Sequence, residues 1–192
     1  GYHGTAMEDI ARACKMTKAN LFHHYGCKED LALAVLDDKI ASYRQQRVEP
    51  LCAQGDPVAA VGEMFSEAGT FFDGIGCKAG CFIANIGLEM ADANEHFRKR
   101  VGEFFGEWSD GMADCLARAQ KEGRFDAKLN PGACAEAVLA LYEGTVMLAR
   151  TRRDAAVFGR VGKLARQMLE QHKTPKYDRR DTTMGPKTPC GC

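Results

Sequence analysis

The sequence predicts an all-α chain in which two short N-terminal helices lead into a larger helical body. Three observations carry this. Apolar residues recur at three- and four-residue steps along most of the chain, and no stretch alternates convincingly as a strand does. Asp56-Pro57 and Asn130-Pro131 each place a capping side chain before a proline suited to the first helical position. Only Cys14-Lys15-Met16 separates the first two helical patterns, a turn short enough for a helix-turn-helix unit.

Taken in order, Thr5-Ala6-Met7-Glu8 reads as a capping box opening a helix that carries Met7, Ile10, Ala11 and Cys14 on one face. Thr17 can cap a second helix from about Lys18 to Tyr25. A third is expected from about Lys28 to Arg47, with Leu31, Val35 and Leu36 inward. Phe97, Val101, Phe104, Phe105, Trp108, Met112, Cys115, Leu116 and Ala119 mark a long amphipathic helix stopped by Gly123. Val138, Leu139, Leu141, Tyr142, Val146 and Leu148 populate another, followed by a stripe at Val157, Val161, Leu164, Ala165 and Met168. These readings divide the chain into a head at 1–47 that includes the connecting helix, a body at 48–172, and a tail at 173–192. The tail has no Val, Ile, Leu or Phe and is expected to be flexible.

Composition narrows the functional classes. A chain of 192 residues, 45% hydrophobic and 27% charged, can fold as one large domain or as a small and a larger one. No apolar run approaches the roughly 18–20 residues of a membrane span, and GYHGTAMED lacks the marks of a signal peptide. No membrane association is therefore expected. Nine cysteines, odd in number and irregularly spaced, read as free thiols in a reducing cytoplasm. Net charge is zero, so any grip on nucleic acid must be local. Residues 1–28 supply Arg12, Lys15, Lys18 and Lys28 against Glu8 and Asp9, with three histidines beside them. Ser66, Ser109 and the histidines form no nucleophile–base pattern, and Glu89, Asp92 and Glu95 read as a solvated acidic patch. An enzyme is not expected, nor a cofactor. Cys77/Cys81 and Cys190/Cys192 lack the further ligands of a zinc site.

The stretch GYHGTAMEDIARACKMTKANLFHHYGCKEDLALAVL resembles the DNA-binding signature of the TetR family, in register at Gly1, Thr5, Asp9-Ile10-Ala11, Thr17-Lys18, Leu21-Phe22-His23-His24-Tyr25 and Lys28-Glu29-Asp30-Leu31. The segment GCFIANIGLEMADANEHFRKRVGEFFGEWSD is similar to the regulatory domain of a subset of these proteins. The resemblance implies a helix-turn-helix repressor with a helical effector-binding domain and a C-terminal dimerisation helix pair. By position, Thr5, Thr17, Lys18, Phe22 and Lys28 resemble the residues that grip phosphates. Asn20, His23 and Ala19 resemble groove-facing readers beside His24, and Ile10, Leu21 and Tyr25 resemble the motif's core. The chain departs from the pattern at Cys14 and Lys15, where the family usually has a small residue then Gly. It departs again at Ala19 (usually Gly) and Cys27 (often a capping Ser). The family's first helix would precede Gly1 and is expected to belong to the native protein.

The family reading further implies a cytoplasmic homodimer on a pseudo-palindromic operator of double-stranded DNA, its two reading helices about 34–36 Å apart or a multiple of that. The stripes at 138–149 and 157–169 are expected to supply the dimer seam. Phe65, Phe72, Phe82, Phe105, Trp108, Met112, Tyr142 and Met147 are the candidate walls of a mostly apolar cavity for a small organic effector that releases the operator. Two alternatives stay open. Cys77 and Cys81 flank a glycine-bearing turn at a helix start, where the dipole and Lys78 would lower a thiol pKa and make a sensor of electrophiles or oxidants. The other is a helical ligand-binding protein that works without DNA.

Overall fold

A computed structural model describes residues 1–50 and 55–175. Among these residues eight α-helices run in the order α1 (Met7–Ala13), α2 (Lys18–His24), α3 (Lys28–Tyr43), α4 (Pro57–Gly74), α5 (Phe82–Met90), α6 (Glu95–Lys121), α7 (Pro131–Arg152) and α8 (Ala156–Glu170). A π-helical turn, Arg44–Val48, carries α3 onward, so its regular part ends sooner than the periodicity suggests. There is no named strand among the described residues; one isolated antiparallel bridge joins Phe125 to Lys173.

The helix starts follow local chemistry. Thr17, Asp56, Asn94 and Asn130 each accept a backbone amide of the first turn, and Pro57 and Pro131 stand where no amide is needed. The Thr5 capping box does not form. Ala6 is the cap, Asp9 accepts the Ala6 amide at 3.3 Å, and the Thr5 hydroxyl instead donates to the Gly1 carbonyl at 2.7 Å. Gly123 ends α6 at φ 77°, with the Arg124 amide returning to the Ala119 carbonyl at 2.9 Å.

Two cores result. Met7, Ala11, Leu21 and Leu31 close a small one in the head, with Ile10 and Tyr25 against it. The large core begins at Leu36 and Ile40 of the same α3. One helix therefore belongs to both bodies. Val35, expected inward, is 41% exposed. It lies on the Leu31 side of α3 beyond the head's edge, whereas the large core takes the side bearing Leu36 and Ile40.

In the body, α8 packs along α4, and α7 packs between α6 and α8. The apolar stripes of α7 and α8 are largely spent here: Val138, Tyr142, Val146, Val157 and Ala165 are buried within the protomer. Only Met147 and Leu164 remain well exposed among the large apolar residues of these two helices. By length and composition α7 could cross a membrane. About a third of its most apolar stretch is buried within the protomer. The first residues of the expected tail are tied down. The Asp126 amide donates to the His172 carbonyl at 2.8 Å, and the Thr174 amide to the Arg124 carbonyl at 3.0 Å. Cys190, Cys192 and the rest of 176–192 lie outside the described residues.

Candidate functional site

The head presents α2 outward. Leu21 is its one buried residue, while Thr17, Lys18, Ala19, Asn20, Phe22, His23 and His24 are exposed. Thr17 Oγ1 accepts the Asn20 amide at 3.1 Å, which fixes the start of the helix. The turn before it depends on Lys15, which holds φ 56°. That left-handed conformation lets the Met16 amide reach the Ala11 carbonyl at 2.9 Å. Lys18 pairs with Glu8 and lies 5.7 Å from the centroid of the Phe22 ring. Cys27 caps α3 as a serine would: its Sγ accepts the Asp30 amide at 3.5 Å, and Asp30 accepts the Cys27 amide at 3.1 Å.

At the base of the head Lys28 sits 4.5 Å over the Tyr2 ring, and Tyr2 packs edge-on against Phe97 of α6. The amides of His3 and Tyr2 donate to Glu89 at 2.7 and 2.9 Å and hold its carboxyl below the usual carboxylate range. Glu89 is thus a surface charge that also clasps α5 to the first residues of the head. Sequence reasoning missed it because the two amides belong to backbone far away in the chain, and no side-chain pattern marks them.

The body holds a groove of about 960 Å³ between α5, α6 and α7. Of the eight residues expected to wall a cavity, Phe105 and Met147 do so. Phe65, Phe72, Trp108, Met112 and Tyr142 are core instead, consumed by ring-to-ring packing: Trp108 lies 5.4 Å from Tyr142, Phe65 5.6 Å from Tyr142, and Phe72 stacks on Phe158 at 5.2 Å. Phe82 is half-buried against the same core. Bulk alone cannot separate a cavity wall from a core residue.

The groove owes its depth to missing side chains. Gly102 and Gly106 on α6 and Gly144 on α7 line it, and a Cβ at any of them would meet nothing within 4 Å. At its inner wall stand Cys81, the cap of α5, and Glu143. Burial raises the Glu143 carboxyl to about 7, and its Oε1 has no hydrogen-bond partner. The thiol expected to be activated at Cys81 is the reverse: burial, then Glu143, push it up to about 12. Cys77 is also buried, at 2% exposure, and holds φ 52° in the turn before α5. Proximity to a helix start does not offset burial beside a carboxylate.

Both walls of the groove are tied to the connecting helix. At the start of α5, Phe82 packs on the same core as Tyr43 of the connecting helix, with its backbone beside the Tyr43 hydroxyl. From α6, Arg100 reaches Asp37 at 2.9 Å and Glu107 accepts Arg44 at 2.7 Å.

Comparisons with known proteins agree with this division of labour. Residues 1–35 match the family described as "Bacterial regulatory proteins, tetR family", and residues 57–165 match "Tetracyclin repressor-like, C-terminal domain". The chain is 24% identical over 155 residues to the HTH-type transcriptional repressor DhaR of Mycobacterium sp. (strain GP1), covering 80% of this chain and 76% of that protein. Among solved structures, a TetR transcriptional regulator from Chloroflexus aurantiacus superposes with a TM-score of 0.77 at 26% identity, over 90% of this chain and 87% of that one. The regulator FadR from Bacillus subtilis, in complex with stearoyl-CoA, shares the fold with a TM-score of 0.68 at 14% identity, over 86% and 89%. The exposed, capped α2, the three-residue turn and the matched C-terminal domain lead to one conclusion: the chain belongs to the TetR family of DNA-binding transcriptional regulators.

Proposed function

We propose that this regulator is a repressor whose homodimer binds a pseudo-palindromic operator and leaves it when a small, largely apolar effector enters the groove of each protomer. The observation that carries the reading is α3, shared between the head's core and the body's core, packed against both groove walls and ion-paired to one of them. An effector wedged between α5, α6 and α7 displaces those walls and moves α3 with them. Since Glu89 also holds the head from the far end of α5, the displacement reaches the head along two routes. The name of DhaR as a repressor and the acyl ligand in FadR support the same reading for this chain.

On DNA, Asn20, His23 and His24, with Ala19 beside them, face base edges, and Thr5, Thr17, Lys18, Phe22 and Lys28 meet the backbone. Lys18 exchanges Glu8 for a phosphate in doing so. Turning an operator from 99% bound to 99% free requires about 5.5 kcal/mol of differential effector binding, which two grooves can share.

The test is selection of a preferred duplex from random DNA by the full-length protein, followed by titration with salt. A two-fold-symmetric site is expected. Asn20→Ala should relax preference at one base step per half-site, and Lys18→Ala should weaken all sequences and reduce the salt slope by about one per protomer. Absence of any sequence preference would leave a helical ligand carrier as the better description.

A further inference from the structure

We propose, on the reading that the groove admits an effector, that its ligand is an amphipathic organic cation, an ammonium or amidinium on an aromatic or aliphatic body, held by Glu143. Glu143 is the acid placed on the inner wall. It projects from α7 with one carboxyl oxygen buried and without a partner, in a groove whose walls include the apolar side chains of Val101, Phe105, Leu139 and Val146. A carboxyl stranded in such a place is costly unless something donates to it. A ligand ammonium both donates and carries the opposite charge.

The groups around Glu143 leave its buried Oε1 without a partner. Cys81 at the start of α5 offers only a weak thiol donor. Tyr43 of α3 and Tyr142 of α7 lie in the same neighbourhood, but neither hydroxyl hydrogen-bonds the buried Oε1. Arg47 of the π-helical turn reaches Glu67 at 3.2 Å. Arg98 is bound to Glu95 at 2.6 Å and Arg150 reaches Asn85 at 3.5 Å, so the two cations lining the groove are already engaged. The walls complement a hydrocarbon body. Gly102, Gly106 and Gly144 leave bare backbone where a flat or extended group can lie close, and Phe105 offers a ring to the cation's flank.

The experiment is calorimetric titration of the whole protein with 4-phenylbutylammonium and with its neutral counterpart 4-phenylbutanol, at pH 6 and pH 8. The cation is expected to bind at least tenfold more tightly than the alcohol at pH 8. Its affinity should rise about tenfold from pH 6 to pH 8 as Glu143 ionises, since Cys81 and the two tyrosines lose protons only well above this range. Glu143→Gln should remove both effects and leave alcohol binding intact. Gly106→Leu, which fills open space, should weaken both ligands without changing the sedimenting mass. Equal binding of the two probes overturns the proposal while leaving the apolar-effector reading in place. Binding of neither overturns both. A Gly106→Leu variant that changes the assembly instead of ligand affinity assigns the groove to a second copy of the chain, and the proposal falls.

Discussion

Phe65 of α4 lies over Gly162 of α8 so closely that a Cβ at position 162 would stand 2.6 Å from the Phe65 Cβ. The relationship is reciprocal one turn away, where Phe158 of α8 covers Gly69 of α4 and a Cβ there would stand 3.2 Å off. Each glycine is the socket for the other helix's ring, which lets α4 and α8 approach along their whole contact. Gly162→Ala gains about 1 kcal/mol of helix propensity but forces the helices apart, so net destabilisation of about 1–3 kcal/mol is expected. Urea unfolding measures it. The double change Gly162→Ala with Phe65→Leu should recover part of the loss, and an unchanged midpoint in the single variant would refute the socket.

Lys15 occupies a left-handed conformation that costs a side-chain-bearing residue about 1 kcal/mol. Lys15→Gly should stabilise the head by about 0.5–1 kcal/mol, while Lys15→Ala, which keeps the Cβ, should change little. Hydrogen exchange of the Met16 amide, bonded across the turn to Ala11, reports on the head alone. Slower exchange in both variants would mean that removal of the lysine charge, not relief of the backbone, is responsible.

The Glu89 clasp should matter to the head and not to the body. Glu89→Ala is expected to speed exchange at Tyr2 and His3 while the unfolding midpoint of the body stays where it was. Operator affinity should fall by a few-fold, because α1 loses its anchor. Glu89→Gln, which keeps one acceptor oxygen, should fall between.

Glu143 makes stability depend on pH near neutrality. Its carboxyl titrates near 7 in the folded protein against an ordinary value of 4.5, so the folded state holds the proton more tightly than the unfolded chain. Its contribution is therefore full below about pH 4.5 and is lost as pH rises toward and through 7, by up to about 3 kcal/mol. Glu143→Gln should flatten that decline between pH 5 and 8 in a series of thermal melts. A decline of the same size in the variant would place its origin elsewhere.

The residues by themselves determined what depends on neighbours within a turn or two. Thr17, Asp56-Pro57, Asn130-Pro131 and Gly123 mark helix ends because caps and stops act locally, and the three-residue turn and exposed face of α2 follow from spacing. The family signature at 1–36 was legible for the same reason. Tertiary structure alone decided what depends on which bodies meet. It sent Phe65, Trp108 and Tyr142 into the core rather than to a cavity wall, and turned Val35 outward where the head ends. It gave the surface acid Glu89 a role as a clasp, and reversed the expected activation of Cys81 by burying it beside Glu143. Burial and long-range pairing depend on distances between segments far apart in the chain, and periodicity, which records only the direction a side chain faces on its own helix, does not encode them.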